Sequence, residues 1–304
     1  MALIHIGATT PRSALINTGI RGLRQIWHTS KVIASHPMSS GFDWDTAVPT
    51  HARTTLTDEQ WIQFNSDGYF VVENLVDPAT LAEVTAETDI FCEEADSFLE
   101  KLPDSRMFIA EKGAITFAPN IALKSDALLK FVSSSPITGL VHDLIGPDAR
   151  LYHDQAVYKA NEKPRRFPWH QDNGYTFVLP EHYLTIWIAL NDVPIEAGCV
   201  WAAPGLHKSG TLLHTYVEPL GWEIFKDPPV TPIAAPIAAG GAVVFSSLTP
   251  HLTGPNVSDH MRKAYILQYV GPDAIRFDGP HDKLGTPLTD DARFPWVLRN
   301  GSRV

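Results

Sequence analysis

Apolar positions fall into two textures along the chain. Between about 57 and 145 they recur with a helical period, and beyond about 150 they come in short runs bounded by turn residues. The stretch "TDEQWIQFNSDGYFVVENLV" opens with Thr57 and Gln60 in capping-box spacing. It predicts a short helix to about Asn65, a turn at Asp67-Gly68 and a strand over Tyr69–Val72. Asp77 and Pro78 form an N-cap and first-turn pair, after which Leu81, Val84, Thr88, Phe91, Ala95 and Phe98 mark one helical stripe through about Leu99. A further amphipathic helix is predicted over 125–145, interrupted at Pro136.

Strand candidates follow at 151–159, 183–190, 198–202, 211–217, 242–246 and 262–270. Short, evenly punctuated strands of this kind predict an antiparallel sandwich or barrel. The Pro-containing stretch 219–239 has strands on both sides, which predicts a loop insertion over one mouth of that barrel. Its Trp222 and Phe225 are expected at a substrate entrance.

Length and composition narrow the picture. A chain of 304 residues with 44% apolar and 19% charged residues buries a core unaided, and no apolar run is long enough to cross a bilayer. Two cysteines, Cys92 and Cys199, exclude a disulfide framework and a cysteine-rich zinc site, and favour a cytoplasmic location. The formal charge is −10, but residues 1–42 hold four basic and no acidic residues, which leaves about −14 on the rest. An acidic body lacks the Lys/Arg surface that nucleic-acid affinity requires, so a nucleic-acid partner is excluded and a small molecule expected. Residues 1–50 are expected to be a poorly ordered extension, of a composition shared with organelle-targeting segments, and 51–304 a single domain.

The candidate chemistry lies in "RFPWHQDNGYTF". His170 and Asp172 stand at i and i+2, so on an extended chain both project from one face. His251, in "SSLTPHLTGPN" after the strand over 242–245, is the best third ligand. Two histidines and one carboxylate on one face of an octahedron hold Fe(II) and leave three positions for a co-substrate and dioxygen. Most of the 13 histidines have ordinary structural explanations: His142 and His153 precede aspartates without an evident distant partner, and His207 and His214 are expected on turn and strand surfaces.

Three blocks extend the signal: "FPWHQDNGY", "TIWIALNDVPIEAGCVWAAPGLHKSG" and "GGAVVFSSLTPHLTGPNVSDHMRKAYILQYV". In order and spacing they resemble the phytanoyl-CoA dioxygenase family of Fe(II)/2-oxoglutarate-dependent oxygenases, and "GYFVVENLV" resembles that family's N-terminal strand. The resemblance implies a mainly β fold with flanking helices, built on a double-stranded β-helix, the jelly-roll or cupin-like core. It also implies His170, Asp172 and His251 as the iron triad, with 2-oxoglutarate as co-substrate and O2 as oxidant. Arg262, eleven residues after His251, matches the arginine that grips the far carboxylate of 2-oxoglutarate; its planar fork suits that task better than a lysine. Trp187 matches a position that lines the family's co-substrate pocket, and Gln155 and Lys159 fall on the strand that often supplies another 2-oxoglutarate contact. The family's usual Gly-Asp before the metal-bearing strand is Gly240-Gly241 here, and its Pro-Gly-Ser-His turn is Pro204-Gly205-Leu206-His207. The expected activity is hydroxylation of a small organic or natural-product substrate. Its rivals are a divalent-metal hydrolase on the same triad and a catalytically inactive jelly-roll binding protein.

Overall fold

Continuous apolar runs such as "LTIWIA" form the centre of the molecule because both faces of their strands are covered. The computed structural model describes residues 33–218, 221–279 and 282–304. Its largest sheet is ten-stranded, running in the order Tyr69–Val72, Ala242–Ser246, Leu184–Ala189, Arg262–Val270, Ala149–Lys159 and Ile115–Pro119, ending in the hairpin of Arg106–Met107 and Ala110–Glu111, with Trp296–Arg299 and its partner Ser302–Arg303 branching off Ala149–Lys159. A second sheet of three strands, Ile233–Ala235, Val200–Ala202 and His251–Thr253, faces it. Alternation sorts the side chains between two cores. Ile186, Ile188, Val244 and Leu267 meet the helical layer, while Trp187, Ala189, Val243 and Phe245 pack with Val200, Ala202 and Ala235. This is the double-stranded β-helix with flanking helices.

The helices form as the local sequence dictates. Thr57 and Gln60 make a reciprocal capping box at the start of Asp58–Asp67, and Gly68, in the left-handed region at φ 86°, ends it. Asp77 caps Pro78–Leu99 by accepting from the N–H groups of Ala79 and Thr80. In that helix Val84, Thr88, Cys92 and Leu99 are buried, whereas Phe98 is exposed: the buried stripe drifts by a residue in the last turn. The predicted 125–145 helix is two helices, Asp126–Val132 and Ser135–Leu144, with Pro136 in the first turn of the second, where its missing N–H is harmless.

Two expectations are corrected. The 219–239 stretch is not all loop, because Ile233–Ala235 is a strand of the smaller sheet, paired with Val200–Ala202. The extension through residue 50 is not poorly ordered over 33–50. There Ser35 bridges Leu212, the Ser39 hydroxyl donates to buried Glu181 (2.6 Å) and Trp44 is 3% exposed within the main core. The part of that expectation that falls on residues 1–32 lies outside the described residues. No helix among the described residues is long and apolar enough to cross a membrane.

Candidate metal centre and co-substrate pocket

His170 and His251 face each other across a backbone bridge in which each N–H donates to the other's carbonyl at 2.9 Å. Their ring centroids are 4.1 Å apart. Nδ1 of His170 lies 2.8 Å from the Pro168 carbonyl, and Nδ1 of His251 lies 2.9 Å from that of Thr249. A carbonyl only accepts, so each Nδ1 carries the proton and each Nε2 presents a lone pair to the cavity. Asp172 Oδ1 lies 3.7 Å from both Nε2 atoms. Burial, followed by the neighbouring His251, holds the His170 imidazole well below its ordinary range, so it stays neutral and able to coordinate.

The i, i+2 geometry arises differently from the expectation. His170 is extended, but Asp172 begins the short 3-10 turn Asp172–Gly174. The intervening Gln171 turns into the protein, donating to the carbonyls of Gly210 and Leu248 and accepting from the Leu212 N–H. The Gln171 N–H donates to Nε2 of His214 at 2.9 Å, and the His214 ring lies against Gly174 so closely that a Cβ there would collide with it. His214 and His207 are therefore buried, not surface residues. His214 shapes the ligand-bearing turn, and sequence spacing gave no sign of it.

Thr185, fully buried, donates to Asp172 Oδ2 at 2.6 Å. Its position was readable: Thr185 and Trp187 stand at i and i+2 in an apolar strand, so a lone hydroxyl shares the face of the pocket tryptophan. A second trio of possible ligands, His51, His142 and Asp143, also comes together. There the Asp143 carboxylate already accepts from the N–H groups of Thr54, Thr55 and Leu56.

Arg262 is 1% exposed, and its guanidinium carbon lies 5.1 Å from the ring centre of Trp187. Its Nε and Nη1 are buried without a hydrogen-bond partner, and burial lowers its pKa to about 9, so it remains a cation at neutral pH. A buried cation with two unused N–H donors is a site for an anion. Arg262, Trp187, Gln155 and the three potential ligands line one cavity of about 510 Å³. Three sequence expectations are not met. Lys159 does not line the cavity. Its Nζ donates to Thr253 Oγ1 and to the carbonyls of Thr253 and Gly254, so it braces the strand that carries His251. Trp222 stands 45% exposed and packs edge-on against Tyr216, while Phe225 backs Trp169; neither lines the cavity. The hairpin that holds Trp222 pairs with itself and leaves the entrance to other residues.

Fold and site together define a jelly-roll protein in which a His-Asp-His trio able to hold a metal ion shares one pocket with a buried arginine. Residues 64–264 match the family model described as phytanoyl-CoA dioxygenase (PhyH), which covers well over half of the chain. The chain belongs to the phytanoyl-CoA dioxygenase family of Fe(II)/2-oxoglutarate-dependent oxygenases. It is 23% identical over 260 residues to a phytanoyl-CoA dioxygenase of Arabidopsis thaliana, covering 73% of this chain and 92% of the relative. It is 27% identical over 232 residues to a methylphosphonate hydroxylase of Gimesia maris (strain ATCC 29201 / DSM 8797 / 534-30), covering 71% and 81%. Among solved structures it is similar to the epimerase SnoN in complex with Fe3+, alpha ketoglutarate and nogalamycin RO. That similarity has a TM-score of 0.62 at 24% identity and covers 79% of this chain and 98% of that one.

Proposed function

We propose that His170, Asp172 and His251 hold Fe(II), that Arg262 binds the far carboxylate of 2-oxoglutarate, and that the protein hydroxylates a small organic or natural-product substrate with release of succinate and CO2. The observation that carries this reading is the buried guanidinium of Arg262, with two unpartnered nitrogens, in the same cavity as the convergent triad. The donor set fits the ion: two neutral imidazoles and one carboxylate are the facial set suited to non-haem iron. Bound iron, with 2-oxoglutarate and O2, supplies the oxidant that removes hydrogen from the substrate.

The chain's own residues do the rest. The carbonyls of Pro168 and Thr249 hold the two rings in the tautomer that faces the cavity. Thr185 engages one oxygen of Asp172 and leaves the other for the metal. Arg262 fixes one end of the co-substrate, and the Trp187 ring, its centre 5.1 Å from the guanidinium carbon, lines the pocket beside it. Phe245 packs against the His251 ring at 4.4 Å between centroids and closes the floor of the pocket. A simple divalent-metal hydrolase needs no such clamp as Arg262, and succinate formation separates the oxygenase from a binding protein without catalysis.

The test is turnover. Protein supplied with Fe(II), 2-oxoglutarate and O2 is expected to form succinate, faster when a true substrate is added, with an oxygen-atom mass gain in that substrate. Absence of succinate under every loading condition would sink the proposal.

A further inference from the structure

The triad and Arg262 occupy one end of the cavity, and the remaining wall has a composition of its own. One side is apolar: Phe117 and Phe167, tilted with centroids 6.2 Å apart, sit beside Met107, Phe108 and Ile109 of the 106–111 hairpin. Three other lining residues, Tyr152, Tyr175 and Tyr183, carry phenol hydroxyls that make no hydrogen bond to protein among the described residues. Tyr183 is 2% exposed. Of the three only Tyr183 is buried, Tyr175 being 43% exposed, and phenol hydroxyls that face a cavity and make no bond to protein are free to donate to a ligand's acceptors there.

Charge is as informative as polarity. Apart from Asp172 and Arg262, no Asp, Glu, Lys or Arg among the described residues lines the cavity. The basic residues on the two segments that carry the apolar side are all ion-paired. Arg106 meets Glu218 (3.7 Å), Lys163 and Arg165 share Glu111 (2.8 and 2.7 Å), and Arg166 meets Glu223 (2.7 Å). A ligand's phosphates would find no unpaired cation on these two segments. Aromatic rings along the cavity favour a ring that stacks offset or edge-on.

We infer that the substrate is a neutral, ring-bearing organic molecule with hydroxyl, ether or carbonyl oxygens, taken in free form and not as a coenzyme A thioester. This deepens the oxygenase reading and rests on it. The apolar side and Phe108, 80% exposed on its hairpin, take the ring, and the phenols take its oxygens.

The experiment uses iron(II)-loaded protein with 2-oxoglutarate under nitrogen and three fluorescent probes: 7-methoxycoumarin, 7-methoxycoumarin-4-acetate, and the coenzyme A thioester of that acid. The neutral coumarin is expected to bind at least ten-fold more tightly than either charged probe. Tyr152→Phe and Tyr183→Phe are each expected to weaken it about three- to ten-fold, the size of one lost neutral hydrogen bond. Equal or tighter binding of the thioester, or an unchanged affinity in the double phenylalanine variant, would overturn the inference. Calorimetric titration of 2-oxoglutarate into the same samples separates the two readings. Coumarin selectivity without 2-oxoglutarate binding would uphold the pocket's specificity and remove the oxygenase reading.

Discussion

The Thr185 hydroxyl donates a 2.6 Å hydrogen bond to Asp172 Oδ2, while Asp172 Oδ1 lies 3.7 Å from Nε2 of both His170 and His251. One carboxylate oxygen is thereby held by protein and the other is turned to the rings. Removing the hydroxyl at constant volume, by Thr185→Val, frees the carboxylate to rotate. Affinity for Fe(II) is expected to fall by about 10–100-fold, the range seen when partners of metal ligands are lost. Thr185→Ser restores the donor and should restore most of the affinity. Calorimetric titration under nitrogen reads both, and an unchanged affinity in the valine variant would show that Thr185 is packing alone.

His170→Ala and His251→Ala should each abolish iron retention and turnover and leave the fold intact. Both rings point into a cavity, so their loss removes ligands without opening the hydrophobic core. Metal content after desalting and the far-ultraviolet dichroism spectrum check the two halves. Wild-type activity in either variant would remove that histidine from the triad.

Arg262→Lys replaces two parallel hydrogen bonds with a point contact. The 2-oxoglutarate requirement should rise by about 10–150-fold, equivalent to about 1.5–3 kcal/mol for hydrogen bonds to a charged group. Substrate affinity measured at saturating 2-oxoglutarate should change little. A variant with the wild-type 2-oxoglutarate dependence would take Arg262 out of the co-substrate site.

Features with a local cause were legible in the sequence: the capping box at Thr57, the Asp77 cap, the long apolar strands and the His-x-Asp pair each announce themselves within a few residues. What escaped depends on tertiary pairing. The Ile115–Pro119 strand is short and has Pro119 at its end, so only its register with Ala149–Lys159 makes it a strand. His214 looks like any surface histidine until its nitrogen meets the Gln171 N–H, forty-three residues away in the chain. Lys159 matched a co-substrate position by order alone. Whether its amine reached the cavity or the carbonyls of Thr253 and Gly254 depended on a neighbouring sheet.

The packed N-terminal segment changes what truncation should do. Trp44 is 3% exposed, its Nε1 donates to Asn65 at 3.2 Å, and its ring meets His207 edge-on with centroids 4.3 Å apart. Deleting residues through 45 removes this ring together with the Ser39 contact to Glu181. Trp44→Ala alone should cost about 3–5 kcal/mol, which lowers the melting midpoint by roughly 10 °C. A truncation through 45 that melts with the full chain would show that the segment contributes nothing to stability.

The last prediction concerns Asp143 and acid. Its carboxylate accepts from the N–H groups of Thr54, Thr55 and Leu56 and from the Thr54 hydroxyl, and so ties the bend at 54–56 to the Ser135–Leu144 helix. Burial by itself would raise this acid. The bond with His142 and the backbone donors outweigh it and hold the carboxyl below its ordinary 3.8. A depressed acid stabilises the fold fully above the unfolded value and loses that contribution as pH falls through the folded one. Asp143→Asn keeps the shape but offers one neutral acceptor where a charged pair of oxygens stood. At pH 7 it should therefore be less stable than the wild type by about 2 kcal/mol, within the range for hydrogen bonds to a charged group. As pH drops below 3.8 the two proteins should converge, because the wild-type carboxyl becomes neutral as well. Urea unfolding at neutral and acidic pH measures the gap directly, and a gap that stays constant across that range would show that the charge on Asp143 contributes nothing.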